Sequence, residues 1–170
     1  MQNGIFYGLW GVVAVLCYLG GFTMPLLSAF PLLLIVFAPF FLGYLTFRFR
    51  KVVAPEGPFA FSRGFWHALL TSTYAAMILA VVVFVYLKWL DHGFIFDQYE
   101  ALFSQPEFVA AMKVGGMDEA FRESYGMTFL EMIRSLRHFS PGYFALGILE
   151  TLWIFGVIVS LVIGLITKRN

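Results

Sequence analysis

The sequence predicts an all-α integral membrane protein, a bundle of four transmembrane helices with a short extracytoplasmic helical segment between the third and the fourth. Three observations carry that expectation. Of the 170 residues, 61% are hydrophobic and 12% charged, where a water-soluble domain has about 45–50% and about 25%, so a soluble core cannot absorb the excess. No charged residue or histidine precedes Arg48, and one crossing needs only about 20 residues, so this opening stretch holds two spans. Basic residues then gather where apolar stretches end: Arg48, Arg50 and Lys51, then Arg63, then Lys168 and Arg169.

Taken in order, the first span covers residues 4–19 and the second 26–47, divided at Gly20-Gly21 and Pro25, where two glycines and a proline weaken a helix and suit a turn. Pro31 and Pro39 lie inside the second span. Neighbouring helices satisfy the carbonyl groups that such prolines free, so a kink rather than a break is expected. Pro55-Glu56-Gly57-Pro58 reads as an exposed turn. The third span covers 64–90 and the fourth 141–167, with Glu150 as the fourth span's only charge. Aromatic residues make up 19% of the chain, a content that suits rings placed near lipid headgroups.

Between residues 91 and 140 eight acidic and four basic residues appear, with clear helix punctuation. Pro106 opens a helix that Gly115-Gly116 ends, and a second short helix over Asp118–Tyr125 stops at Gly126. Thr128 followed by Glu131 is a capping box. After it Phe129, Met132, Ile133 and Leu136 recur at helical spacing, opposite Glu131, Arg134 and Arg137. Two readings of that apolar face stay open: a helix lying flat on the membrane surface, or an ordinary helix packed on its neighbours. Lysine and arginine counted near the span ends place both termini and the loop after the second span in the cytoplasm.

Phe61-Ser62-Arg63-Gly64-Phe65 leads into the third span, which leaves through Tyr86-Leu87-Lys88-Trp89-Leu90-Asp91-His92-Gly93-Phe94. The last span closes with Val159-Ser160-Leu161-Val162-Ile163-Gly164-Leu165-Ile166 and a basic tail. In the order and spacing of these segments the whole chain resembles a family of small bacterial four-span inner-membrane proteins catalogued only as a domain of unknown function. The resemblance implies a bacterial cytoplasmic membrane and the four-span topology, and it implies no activity, cofactor or functional residue.

Chemistry has few candidates. Glu150 lies nine residues after Pro141, about 13 Å along a helix, where a carboxylate costs about 2.5–3.5 kcal/mol unless neutralised, paired or hydrated. It is expected either protonated, or ionised in a polar cavity near Lys88 or bonded by Thr71, Thr73 or Tyr74; the roles open to it are proton-linked transport and a structural hydrogen bond. His67, near the start of the third span and beside Trp66, is an interfacial residue or a proton relay. His92 and His138 lack metal-ligand spacing, and no metal or cofactor is expected. Catalytic motifs are absent: no His-Glu-x-x-His, no Gly-x-Ser-x-Gly and no phosphate-cradling glycine loop. Cys17, the single cysteine, excludes an intramolecular disulfide, and with Leu16 before it and no basic start it reads as a small apolar side chain rather than a lipid attachment site. Gly156, Ser160 and Gly164 repeat every four residues, and Gly4 with Gly8 and Ala76 with Ala80 do so more briefly; such stripes close a bundle within one chain or form a homodimer seam.

A net charge of +1 without a basic stripe excludes a nucleic-acid partner. The function that follows is a non-catalytic accessory or scaffolding membrane subunit, whose partners are the lipid bilayer and a membrane protein or further copies of itself. The alternative is a small oligomeric transporter or proton-coupled carrier built around Glu150, and a third class is a membrane-embedded enzyme using His67 or the loop histidines.

Overall fold

A computed structural model describes residues 2–169. It is an all-α membrane protein in which four helical segments are long and apolar enough to cross a bilayer. They are α1 (Gln2–Gly21), α2 (Phe30–Val53, preceded by a 3₁₀ turn at Pro25–Leu27), α3 (Phe61–Val85, extended by a π-helical turn over Tyr86–Leu90) and α8 (Pro141–Thr167). The intervening segment forms α4 (Phe94–Phe103), α5 (Pro106–Val114), α6 (Met117–Tyr125) and α7 (Phe129–Leu136). The chain divides into two compact units, one holding the residues up to Phe84 together with those from Ala145 onward, the other Val85–Phe144.

In the first unit small residues set how closely the helices approach. A Cβ on Gly4 would meet Tyr74 Cβ at 2.7 Å and one on Gly8 would meet Ile78 Cδ1 at 2.7 Å, so α1 lies against α3 through its glycines. The other side of α3 receives α8: a Cβ on Gly156 would stand 2.6 Å from Ser72 Oγ, and one on Gly164 would stand 2.8 Å from Phe61 Cε2 and 3.1 Å from Phe65 Cβ. Lipid supplies no hydrophobic drive between apolar helices, so this backbone proximity and its dispersion contacts hold the bundle. Leu42, Ala68 and Ile163 form the centre, one each from α2, α3 and α8, with Tyr7 of α1 and Val159 packed on them.

Pro31 sits in the first turn of α2, where its missing N–H costs nothing, while Pro39 lies in the interior and the helix continues through it. Pro39 cannot donate to the carbonyl of Ile35, and one residue earlier the Leu34 carbonyl accepts a hydrogen bond from Trp10 Nε1 at 3.0 Å. A neighbouring helix thus serves the weakened stretch of backbone. Trp10 is itself held against Phe41, with ring centroids 4.9 Å apart.

In the second unit the third span ends by widening: the Asp91 N–H donates to the Tyr86 carbonyl at 2.9 Å, five residues back. The carboxylate of Asp91, 4% exposed, accepts from the Gly93 and Ile95 N–H groups at 3.1 Å each and so starts α4. Gly93 enters at φ +91°, a conformation open to glycine. Phe103 at the end of α4 gathers the rest, with Phe108 of α5 at 4.7 Å and Phe129 of α7 at 4.8 Å. Ion pairs Arg134–Glu100 (2.8 Å) and Arg137–Asp97 join α7 to α4 on the surface.

The capping box is present at α7: the Thr128 hydroxyl accepts from the Glu131 N–H at 3.2 Å and the Glu131 carboxylate accepts from the Thr128 N–H at 2.7 Å. These bonds hold the Glu131 carboxyl below the usual carboxylate range, chiefly through the Thr128 N–H. A depressed pKa contributes stability that is intact above the ordinary value of 4.5 and is lost as the pH falls through the lower folded value. The protection factors of the residue 129–136 amides, taken against the intrinsic exchange rate at each pH, should therefore fall on acidification below pH 4.5 in the wild type, and Glu131→Gln should remove that dependence. For packing, Gly164→Leu should lower the thermal midpoint in detergent by the equivalent of about 1–3 kcal/mol. An unchanged midpoint would contradict the close approach of α8 to α3.

Candidate functional site

The polar residues of the first unit fall into an inward cluster and an outward carboxyl. The cluster joins three helices around His67 of α3. Its Nδ1 lies 3.1 Å from Thr46 Oγ1 of α2 and its Nε2 lies 3.0 Å from Asn3 Nδ2 of α1, while the ring of Phe49 stacks on it at 4.1 Å and 10°. Counting hydrogens assigns the tautomer. The fully buried Thr46 hydroxyl donates its one hydrogen to the Leu42 carbonyl at 3.0 Å, so it accepts from Nδ1–H, which leaves Nε2 as acceptor for the Asn3 amide. A neutral imidazole fills this place with both nitrogens bonded. A second proton on Nε2 would face the Asn3 amide donor, so charging the ring requires the Asn3 side chain to turn over or leave.

Neither Asn3 nor Thr46 is evident from the sequence. One is an unremarked amide near the start of an apolar stretch and the other a single hydroxyl inside one, and nothing local links positions 3, 46 and 67. His92 and His138 belong to the second unit, where both are exposed, and among the described residues no three potential metal ligands gather.

Glu150 takes the other direction. It lies on the exposed face of α8, together with Gly147, Thr151, Ile154 and Ile158, while Gly156, Ser160 and Gly164 face inward. A Cβ on Gly147 would meet nothing within 4 Å, in contrast to the crowded Gly156 and Gly164. Among the described residues no hydrogen bond or ion pair reaches the Glu150 carboxyl. Thr73 donates to the Leu69 carbonyl at 2.8 Å, Tyr74 is exposed and Thr71 is buried, so none of the suggested hydroxyls serves Glu150. Lys88 sits in the second unit with its Nζ 4.8 Å from the ring centroid of Trp89. Within the bundle Ser160 Oγ is buried without a hydrogen-bond partner among the described residues.

The face of α7 is occupied inside the second unit. Ile133 is buried, Phe129 meets Phe103 at 4.8 Å and Phe121 at 5.5 Å, and Met132 and Leu136 are half-buried. Phe129 and Ile133 thus have partners within the second unit, while Phe129, Met132 and Leu136 keep part of their surface uncovered. A cavity of about 340 Å³ in this unit is lined by Asp91, Asp97 and Arg137 beside Phe96, Phe139 and Phe144. Its charges are already engaged, Asp91 by backbone N–H groups and Asp97 by Arg137.

The basic end of the first unit is built on Arg169. Phe59 and Arg169 exchange backbone hydrogen bonds at 2.8 and 3.0 Å, and the Arg169 guanidinium donates to the carbonyls of Ala54 (2.9 Å), Pro55 (3.2 Å) and Gly57. Arg50 Nη1 donates to the Thr167 carbonyl at 3.0 Å. The loop after α2 and the end of α8 thus share one surface, lined by Val53–Ala60 with Arg63, Lys168 and Arg169 around a cavity of about 840 Å³.

Removing one member of the His67 cluster strands the others. Thr46→Val should lower the thermal midpoint by the equivalent of about 1–3 kcal/mol, because the ring N–H and the Leu42 carbonyl lose a shared partner. A midpoint equal to wild type would show that the cluster does not hold the three helices.

The family model described as a protein of unknown function (DUF4199) matches residues 2–169, and the chain belongs to that family. No curated protein and no solved structure matches it at a significant level.

Proposed function

We propose that this membrane protein is a non-catalytic accessory or scaffolding subunit whose outer α8 face docks onto another membrane protein. One observation carries the reading: Glu150 sits within a candidate span, exposed, on a face of α8 that no described residue of its own unit covers. A carboxyl held against lipid costs at least about 2.5–3.5 kcal/mol, a cost that a donor on a partner helix removes. The same face offers the means of close approach. Gly147 and Thr151 are spaced four residues apart with Glu150 between them, and the glycine is unobstructed. In the second unit Val114, at 91% exposure, and Met117 give an apolar edge for a partner's outer domain.

The bundle's basic end supports an orientation with both termini in the cytoplasm of a bacterial inner membrane: Arg48, Arg50, Lys51 and Arg63 lie around the loop that Arg169 closes. A second reading, an oligomeric proton-coupled carrier, is favoured by the same placement of Glu150, since second copies would enclose the carboxyls between chains.

Native electrophoresis and mass spectrometry on particles extracted gently from their own membrane test both readings. The accessory reading expects a stoichiometric foreign subunit that is lost in Gly147→Leu and in Glu150→Leu, with the thermal midpoint of the isolated chain kept in the glycine variant. A homo-oligomer alone would turn the assignment to the carrier, and proton flux in liposomes that Glu150→Gln removes would establish it. A monomer in both wild type and variants would sink both.

A further inference from the structure

We infer that the cavity at the basic end of the bundle is a binding site for a phosphate-bearing anion, supplied by the headgroup of an acidic phospholipid or by a soluble phosphate. The charge balance of its wall points there. Three carbonyl groups of the α2–α3 loop are turned onto the Arg169 guanidinium, and the Thr167 carbonyl at the end of α8 is held by Arg50. The negative ends of two helices are therefore already answered, and Arg50 and Arg169 act as positioning residues. The side chains of Arg63 and Lys168, both exposed at the cavity, have no carboxylate or carbonyl partner among the described residues. Among the described residues Glu56 is the one acid in the lining and it forms no ion pair there. Arg63, Lys168 and Arg169 against Glu56 leave the wall two positive charges in excess.

Size and surroundings agree with a headgroup. The cavity holds about 840 Å³, within the roughly 300–1,000 Å³ of small-molecule sites. It is open where the chain leaves the hydrocarbon: α2 ends at Val53, α3 begins at Phe61 and α8 ends at Thr167. Trp66, one turn beyond Arg63 on α3, and Ile166, two residues before Lys168, are exposed apolar side chains on which acyl chains can lie. A guanidinium and an ammonium flanking one opening suit a phosphate, the first by paired N–H donors and the second as a compact charge.

Native mass spectrometry of the full chain in detergent, titrated with phosphatidylglycerol or phosphatidylcholine, tests the site. Phosphatidylglycerol should bind preferentially, and Arg63→Gln with Lys168→Gln should weaken it roughly fivefold for each charge removed. Glu56→Gln, which alters none of the hydrogen bonds that hold the loop, should strengthen it. Loss of the same size from Arg48→Gln, outside the cavity, would mean diffuse attraction and would overturn the assignment, as would equal binding of the two lipids. Millimolar inorganic phosphate separates the sources. Displacement of the lipid marks the phosphate anion alone as sufficient ligand, and retention marks the lipid headgroup with its chains.

Discussion

A hydrocarbon layer holds no water, so each backbone or side-chain polar atom inside it needs a partner made of protein. That constraint decides why the spanning segments are helices and why a proline within α2 is accompanied by a tryptophan from α1. It also explains why the buried hydroxyl of Thr46 lies between a carbonyl and an imidazole. Glycine and serine stripes follow from the same fact. Where apolar surface gains nothing by leaving lipid, close backbone approach at Gly8, Gly156 and Gly164 supplies the dispersion that holds the helices together.

Set against that constraint, the outward carboxyl of Glu150 and the buried hydroxyl of Ser160 stand as exceptions among the described residues. The chain satisfies His67 from both sides with residues from two other helices, yet leaves a carboxyl outward on α8 with an open glycine beside it. Two faces of one helix are thus put to different uses, one crowded against α3 and one uncovered. The basic end shows a related division of labour. Arg50 and Arg169 are engaged with helix and loop carbonyls, while the side chains of Arg63 and Lys168 stand exposed at the cavity.

Much of the architecture is legible in the order of residues because its signals are local. Long apolar runs and the basic residues at their ends mark the spans, and Thr128 with Glu131 marks α7 down to its hydrogen bonds. Helix α4 is less evident. It starts from Asp91 and a left-handed glycine, with no side-chain cap of its own at the position just before it. The Phe129, Met132, Ile133 and Leu136 face illustrates a different limit. Periodicity establishes that an apolar stripe must be covered, and the partners that cover it, Phe103 and Phe121, come from elsewhere in the chain.

The amino-acid sequence by itself determined the all-helical membrane class, the place of Glu150 along its helix and the clustering of positive charge, since hydrophobicity and helical rise depend only on which residue follows which. Only the tertiary structure decided that Gly156, Ser160 and Gly164 face inward, that Glu150 faces outward, and that Asn3, Thr46 and His67 meet. The physical reason is rotation about the helix axis. A span that is apolar all round carries almost no amphipathic signal, so the side it turns toward its neighbours is set by the fit of small residues against backbone from distant parts of the chain.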